Sequence, residues 1–229
     1  MNNEVFFSKC YEKHNFVELN NIDISTLINI LSFHLKLFPE NKVFFDVGSN
    51  AGSFIKALSN FNIYNDIHCF EPHPIISKNT KQIYNYVKMN DFCLSNTDGI
   101  IDMNYPMWSV GLSSIIKRPI FDNLGTEIKV VKTKSQKLDT YCFENNINYI
   151  DFIKIDVEGA EKLIFEGALN LLEQKKIKAG VFEIGETLRD ANTSETEIES
   201  LLINYGYIIN KNLSNNDWYF YLDNKIFMI

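Results

Sequence analysis

A chain of 229 residues, 45% hydrophobic and 22% charged, can bury roughly 70–75% of its unfolded surface and needs no disulfide or metal staple. Its formal net charge of −7 argues against a nucleic-acid partner, because such binders present a basic face to the phosphates. Cys10, Cys69, Cys93 and Cys142 show no C-x-x-C spacing, so free thiols in a reducing compartment are expected, with no zinc or redox motif.

The opening MNNEVFFSKC has no basic n-region and no long apolar run, so no signal peptide is expected. ISTLINILSFHLKLF is interrupted by Ser32, His34 and Lys36 and is too short to span a bilayer. A cytoplasmic protein without membrane insertion is the expectation. From Ile24 to Phe38 apolar residues recur at helical spacing until Pro39 stops them, which makes residues 1–40 a helical extension. KVFFDVG then suits a strand buried on both faces. Ser53 to Ser59 reads as a helix, IHCFEP (Ile67 to Pro72) as a second strand, and Ile75 to Tyr86 as another helix. VKMNDFCLSN supplies a third strand and its exit loop. This alternation predicts a mainly parallel sheet with right-handed crossovers.

Between Asp98 and Asp139 the alternation lapses into short extended pieces, IIDMNYP, SVGLSSI and TEIKVVKTKSQKL. Residues 98–139 are read as an insertion or lid, not a separate domain. The alternation resumes with FIKIDVEG as a strand, Glu161 to Gln174 as a helix, KAGVFEIGE as a strand, and Thr193 to Tyr205 as a helix capped by Thr193 or Ser194. YGYIINKN and DWYFYLD, around a polar turn at Ser214 to Asn216, read as a hairpin, so the final strand should run antiparallel to its neighbour. One α/β domain over residues 1–229 is expected.

In such sheets ligands bind beyond the carboxyl ends of the strands, and three strand ends carry acids: Asp46, Glu71 and Asp156. Gly48 and Gly52 permit a tight turn that brings backbone N–H groups close to a ligand. Glu71 follows Gly52 by 19 residues, the distance at which an acid accepts hydrogen bonds from a ribose. The turn is G-S-N-A-G, not the G-x-G-x-x-G that a pyrophosphate needs, and Asp46 beside it would repel a phosphate. The same carboxylate suits an ammonium group. S-adenosylmethionine has one, together with a sulfonium and no phosphate.

VFFDVGSNAG, FEPHP, Leu138–Asp139, DFIKIDVEGAEKLIFEGA and VFEI resemble the FkbM-type S-adenosylmethionine-dependent methyltransferases over about Val43 to Ile184. KIDVEGAE is the most distinctive piece. The resemblance implies a Rossmann-like class I methyltransferase fold: a seven-stranded, mainly parallel sheet with an antiparallel C-terminal strand and helices on both faces. It also implies O-methylation, commonly of a sugar hydroxyl in a glycan, nucleotide-sugar or glycosylated metabolite. By the same resemblance Asp46, Gly48, Ser49, Asn50, Gly52, Ser53 and Phe54 line the methionine end, and Glu71 with Pro72 holds the ribose. The loop Asp91–Phe92 then lies against the adenine, where family members often carry a small polar residue and alanine.

Methyl transfer to oxygen is an in-line displacement in which positioning does much of the catalysis. A sugar hydroxyl also needs a base or a metal to remove its proton. Alternation along FIKIDVEGAE puts Phe152, Lys154 and Asp156 on one face and Ile153, Ile155 and Val157 on the other. Asp156 should therefore emerge beside the reacting methyl and touch the cofactor, Glu158 lies where a helix is about to start, and Glu183 ends the next strand. These three are the candidate catalytic residues. Each has a plainer reading: Glu158 complements a helix N-terminus, and Asp156 pairs with Lys154, whose burial demands a partner. His73 is read as a loop histidine, and Ser113 and Ser114 resemble a family segment near the cleft. Asp156 and Glu183 offer oxygens to Mg²⁺, but two carboxylates are too few to expect it. Trp108 is the aromatic expected near a small-molecule or glycan acceptor. A cofactor-binding interaction module without catalysis is disfavoured by the intact acids. RNA 2′-O-methylation is disfavoured by the acidic balance.

Overall fold

The computed structural model describes residues 2–17, 24–40, 42–64, 66–107, 109–123 and 125–223. Helices α1 (Asn3–Val17) and α2 (Ser25–Leu37) precede β1 (Phe44–Val47), α3 (Ser53–Ser59), β2 (Ile67–Phe70), α4 (Pro74–Ile83), β3 (Lys88–Asn90) and β4 (Cys93–Leu94). Then come β5 (Gly99–Pro106), a 3-10 turn at Val110–Leu112, α5 (Ile120–Asn123), β6 (Ile128–Gln136) and α6 (Leu138–Glu144). The chain continues through β7 (Ile150–Ile155), α7 (Glu161–Glu166), α8 (Leu169–Glu173), β8 (Ile177–Glu183), α9 (Glu186–Asp190), α10 (Glu195–Asn204), β9 (Ile208–Asn210) and β10 (Asp217–Tyr221).

The main sheet has seven strands in the order β3-β2-β1-β7-β8-β10-β9. The pairs from β3 to β8 are parallel, while β10 runs antiparallel to both β8 and β9. The strand order reverses between β1 and β7, so the carboxyl ends of these two strands flank the crevice where such sheets bind ligands.

Alternating side chains feed two apolar layers. Phe44, Cys69, Phe152, Val181 and Tyr219 meet α2 and α3 on one face. Phe45, Val47, Ile153, Ile155 and Phe182 meet α6, α7, α8 and α10 on the other. Phe152 therefore lies opposite Ile153 and Ile155, as the alternation predicted. Fully buried apolar residues on both faces explain why these strands read as continuous hydrophobic runs.

The segment 98–139 is more ordered than short extended pieces. β5 and β6 pair antiparallel from Gly99↔Ser135 to Pro106↔Ile128, and β4 joins β6 in parallel, making a second sheet of three strands. The expected third strand is thus divided, since Lys88–Asn90 stays in the main sheet while Cys93–Leu94 crosses to the second. A third apolar cluster joins Phe6, Phe7 and Cys10 of α1 to Ile76, Met103, Tyr105 and Val110. The N-terminal helix is in this way packed onto the inserted segment and α4.

The helix expected over Glu161 to Gln174 is two helices. A Cβ at Gly167 would lie 2.1 Å from the Ser95 carbonyl oxygen, so the chain bends where only glycine fits against the β4 exit. Asp139 fixes the new start by accepting from the Asn170 and Leu171 N–H groups, each at 3.0 Å. Ser194 caps α10, its Oγ accepting from the Glu197 N–H at 3.3 Å. All four cysteines are free and buried. Among the described residues no helix is long and apolar enough to cross a membrane.

Candidate functional site

At the carboxyl ends of β1, β2 and β7 lies a cavity of about 450 Å³, the size of one drug-sized ligand. Among the described residues its wall carries three acids, Glu71, Asp156 and Glu158, and no lysine, arginine or histidine. Val47, Gly48, Asn50, Phe70 and Pro72 form the side nearest β1 and β2, with Cys93 and Leu94 beside them. Ile76, Met103 and the segment Ser109 to Ser113 close the other side. A larger hollow of about 830 Å³ opens between Asp139, Asn148, Asn170 and Lys176, at the amino ends of β7 and β8 and away from the strand-end acids.

The β1 turn is built for packing as much as for a ligand. Gly48 has φ 78° and Gly52 φ 88°, values that favour glycine. A Cβ on Gly48 would stand 1.8 Å from the Asp156 carbonyl oxygen, and one on Gly52 would stand 2.7 Å from the Tyr84 ring. The missing side chains are thus answered by β7 and by Tyr84. The expectation that the turn offers its N–H groups to a ligand is corrected: Gly48 and Ser49 both donate to the Phe70 carbonyl, at 3.0 and 3.1 Å. Asn50 N–H donates to Glu71 Oε2 at 3.0 Å, and His73 N–H to Glu71 Oε1 at 2.8 Å. The N–H groups of Gly48, Ser49 and Asn50 are thus taken up within the protein. Glu71 is anchored on the wall with two backbone donors.

Asp46 is corrected as well. It is wholly buried and absent from the cavity wall, because the register sets it beside Lys154 on the neighbouring strand. Lys154 Nζ lies 3.6 Å from Asp46 Oδ1 and 3.0 Å from Asp156 Oδ2. Burial pushes the Asp46 carboxyl up to about 6, with Lys154 opposing and Asp156 adding to the push. Burial works against the Lys154 ammonium, but Asp156 and then Asp46 outweigh it and hold its pKa above the ordinary lysine value. Lys154 thus links Asp46 to Asp156, which is on the cavity wall. The structural pairing expected of Lys154 is present.

The remaining predicted cofactor residues divide clearly. Gly48, Asn50, Glu71, Pro72 and Asp156 line the cavity; Ser49, Gly52, Ser53, Phe54, Asp91 and Phe92 do not. Phe54 is in the core, stacked on Phe152 at 5.5 Å. Ser49 is buried, its hydroxyl 3.9 Å from Met89 Sδ. Phe92 packs edge-on against Phe70, under the Lys134 ammonium, while Asp91 is exposed. Cys93 and Leu94, one step further along, take the wall position expected of that loop. His73 is buried, and its Nδ1 caps α4 by accepting from the Ile76 N–H at 3.3 Å. Ser113 lines the cavity, whereas Ser114 is buried and bridges to Asn104. Trp108 lies outside the described residues.

Asp156, Glu158 and Glu183, expected on separate grounds, converge: one oxygen of each lies within 4.8 Å of the others. Burial, then the charges of Asp156 and Glu161, push Glu158 up to about 7, with Arg118 opposing. Glu183 is raised well above the usual carboxylate range by burial and by Asp156, Glu158, Glu161 and Asp217. Glu158 has φ 58°, a left-handed conformation that a residue with a Cβ adopts only when its surroundings enforce it. Glu161 holds the turn by accepting at Oε1 from Val157 N–H (3.0 Å) and Gly159 N–H (3.3 Å). The three oxygens are near enough for one divalent ion on distance alone. Lys154 on Asp156 and Arg118 on Glu158 already hold two of the three groups, so the donor set is a poor fit for Mg²⁺. Arg118 was invisible in the sequence, where it is one basic residue in an irregular stretch with no motif around it.

A wall whose charged residues, among those described, are the acids Glu71, Asp156 and Glu158 fits a cation better than a phosphate, and S-adenosylmethionine is a cation. Comparison with known proteins points the same way. A 2-O-methyltransferase of Sinorhizobium fredii, NoeI, is 26% identical over 149 residues, covering 58% of this chain and 60% of that protein. The chain thus matches less than two thirds of that relative's length. A Leishmania major S-adenosylmethionine-dependent methyltransferase structure covers 94% of this chain and 82% of its own at 11% identity and TM-score 0.43. The plantazolicin methyltransferase BpumL, solved with S-adenosylhomocysteine, covers 96% of each chain at 12% identity and TM-score 0.43. At those scores neither adds to what the strand order already states. The methyltransferase FkbM domain family model matches residues 46–209, from the first strand-end acid to the penultimate strand. The chain belongs to the FkbM-type S-adenosylmethionine-dependent methyltransferases.

Proposed function

We propose that this methyltransferase acts on oxygen, and that its acceptor is a sugar hydroxyl in a glycan, a nucleotide-sugar or a glycosylated metabolite. The observation that carries the reading is the acid-lined cavity wall, with Glu71 at one end and Asp156 beside Glu158 at the other. An oxygen acceptor is supported by the printed activity of the Sinorhizobium relative.

S-adenosylmethionine, when bound, supplies a methyl group made electrophilic by its sulfonium. Glu71 takes the ribose hydroxyls: it stands on the cavity wall at the end of β2, its carboxylate oriented by the Asn50 and His73 N–H groups. Asp156 presents negative charge to the cationic end, oriented by Lys154, which Asp46 holds in turn. Glu158 receives the acceptor proton, since a carboxyl near 7 is matched to general-base work at neutral pH. Glu183, raised further, keeps its proton and spares Glu158 one neighbouring negative charge. Met103, Val110 and Leu112 exclude water from this side of the cavity.

The test is incubation with isotopically labelled cofactor and a panel of nucleotide-sugars and glycans, read by mass spectrometry. A sugar carrying one added methyl on oxygen is the expected product. Cofactor binding with no labelled sugar, or label on nitrogen or carbon, would overturn the proposal.

A further inference from the structure

One charged side chain reaches the site from the inserted segment. Arg118 lies between the 3-10 turn and α5 and is 2% exposed. Its Nη2 stands 3.0 Å from Glu158 Oε2 and donates to the Leu112 carbonyl at 2.9 Å. The guanidinium carbon is 5.3 Å from the centre of the Phe121 ring. Leu112 and Glu158 are both cavity-wall residues, so a single guanidinium joins the inserted segment to the β7–α7 turn.

Two features set this pairing apart from ordinary packing. The Arg118 Nε–H is buried and meets no acceptor among the described residues, whereas a buried arginine kept for stability is usually fully bonded. Its partner Glu158 holds the left-handed backbone noted above, and such strain gathers at sites where a side chain must be aimed. The groups facing Glu158 are Asp156 from the end of β7, Glu161 from α7, Glu183 from the end of β8, and Arg118. Asp156 and Glu161 oppose its ionisation, Glu183 is protonated, and Arg118 favours it.

We propose that Arg118 is a positioning residue for methyl transfer, carried in by the insertion to hold the Glu158 carboxylate ionised and aimed along the cavity wall. The proposal rests on the reading of Glu158 as the proton acceptor. In that step the acceptor oxygen bonds to the methyl carbon as its O–H proton passes to Glu158. The S–C electron pair stays on sulfur, and Arg118 itself neither gains nor loses a proton. The environment of Glu158 agrees in sign: burial and its acidic neighbours push it up to about 7 against the pull of Arg118, so deleting the guanidinium must raise it further.

The experiment is a carbon-13 NMR titration of the full chain labelled at glutamate, with the Glu158 carboxyl resonance identified by its loss in Glu158→Gln. In Arg118→Met the Glu158 midpoint is expected to rise by about one pH unit or more, leaving roughly fivefold less carboxylate at neutral pH. Arg118→Gln, which keeps a donor for the Leu112 carbonyl but no charge, should show the same rise and serves if the Met variant does not fold. Arg118→Lys should return the midpoint toward that of the unaltered chain. A midpoint unchanged in both neutral variants overturns the proposal. Methyl transfer to the sugar panel reads the base assignment separately: a Glu158→Gln chain as active as the unaltered one removes the base, and with it the positioning role, even if the midpoint moves. Failure of every sugar to accept a methyl group, with the midpoint shift present, removes the acceptor class and leaves the Arg118–Glu158 coupling standing.

Discussion

Glu161 is wholly buried, its Oε1 occupied by two backbone donors and its Oε2 without a hydrogen-bond partner among the described residues. Burial pushes its carboxyl from 4.5 up to about 7; hydrogen bonds from its own turn pull down, and Asp156 pushes up. In the unfolded chain the group ionises near 4.5, so below that pH both states hold the proton and ionisation of Glu161 costs nothing. As pH rises, the unfolded chain releases its proton first and stability falls, until the folded state also ionises near 7. The gap of about 2.5 pH units corresponds to about 3 kcal/mol lost by pH 8. Glu161→Gln keeps the Oε1 acceptor and cannot ionise. It should be more stable than the unaltered chain by about 3 kcal/mol at pH 8, roughly 6–12 °C in melting temperature for a chain of this length. At pH 4 the two should agree within about 0.5 kcal/mol. Urea unfolding at pH 4, 6 and 8 measures the difference. A gain that is the same at all three values, or a loss at pH 8, would refute the argument.

Gly48→Ala should cost about 1–2 kcal/mol for the left-handed backbone alone, and more for a Cβ placed 1.8 Å from the Asp156 oxygen. A melting temperature within about 2 °C of the unaltered chain would contradict the close approach of β1 and β7. Glu71→Ala should weaken S-adenosylmethionine binding by about ten- to a hundredfold in calorimetry, the loss of a charge-assisted hydrogen bond; an unchanged affinity would move the ribose elsewhere. Because the ligand is a cation and Glu158 ionises near 7, affinity for S-adenosylmethionine should rise between pH 6 and pH 8. A fall across that window would count against Glu158 facing the cofactor's charge.

The parallel core was legible because β1 and β7 are buried on both faces, which writes itself as FFDV and IDFIKI. The pairing of Lys154 with an acid was legible too, since a central-strand ammonium must have one. Asp46 was placed at the right strand end but given the wrong neighbour. Sequence order cannot show that register puts Lys154 across from it, 3.6 Å from its carboxylate. The second sheet escaped notice because β5 begins with exposed Gly99 and Ile100 and is buried only from Met103 onward, which blurs the period of two. The break within the helix expected over Glu161 to Gln174 was not legible, because the reason for Gly167, the Ser95 backbone, is 72 residues away in the chain. Arg118 follows the same rule. Its meaning lies in Glu158, and contacts between distant segments leave no local pattern.

The strand β10 sits between β8 and β9, although it is the last of the three to be synthesised. A nascent chain leaving the ribosome must therefore hold β8 with one bare edge until residues 217–221 emerge, and β9 has no neighbour before then. Bare edges invite pairing with other chains, and late, non-local closure slows folding. Translation pauses or a stop codon before Asp217 should accordingly yield insoluble product, even though every acid of the cavity wall has by then been made.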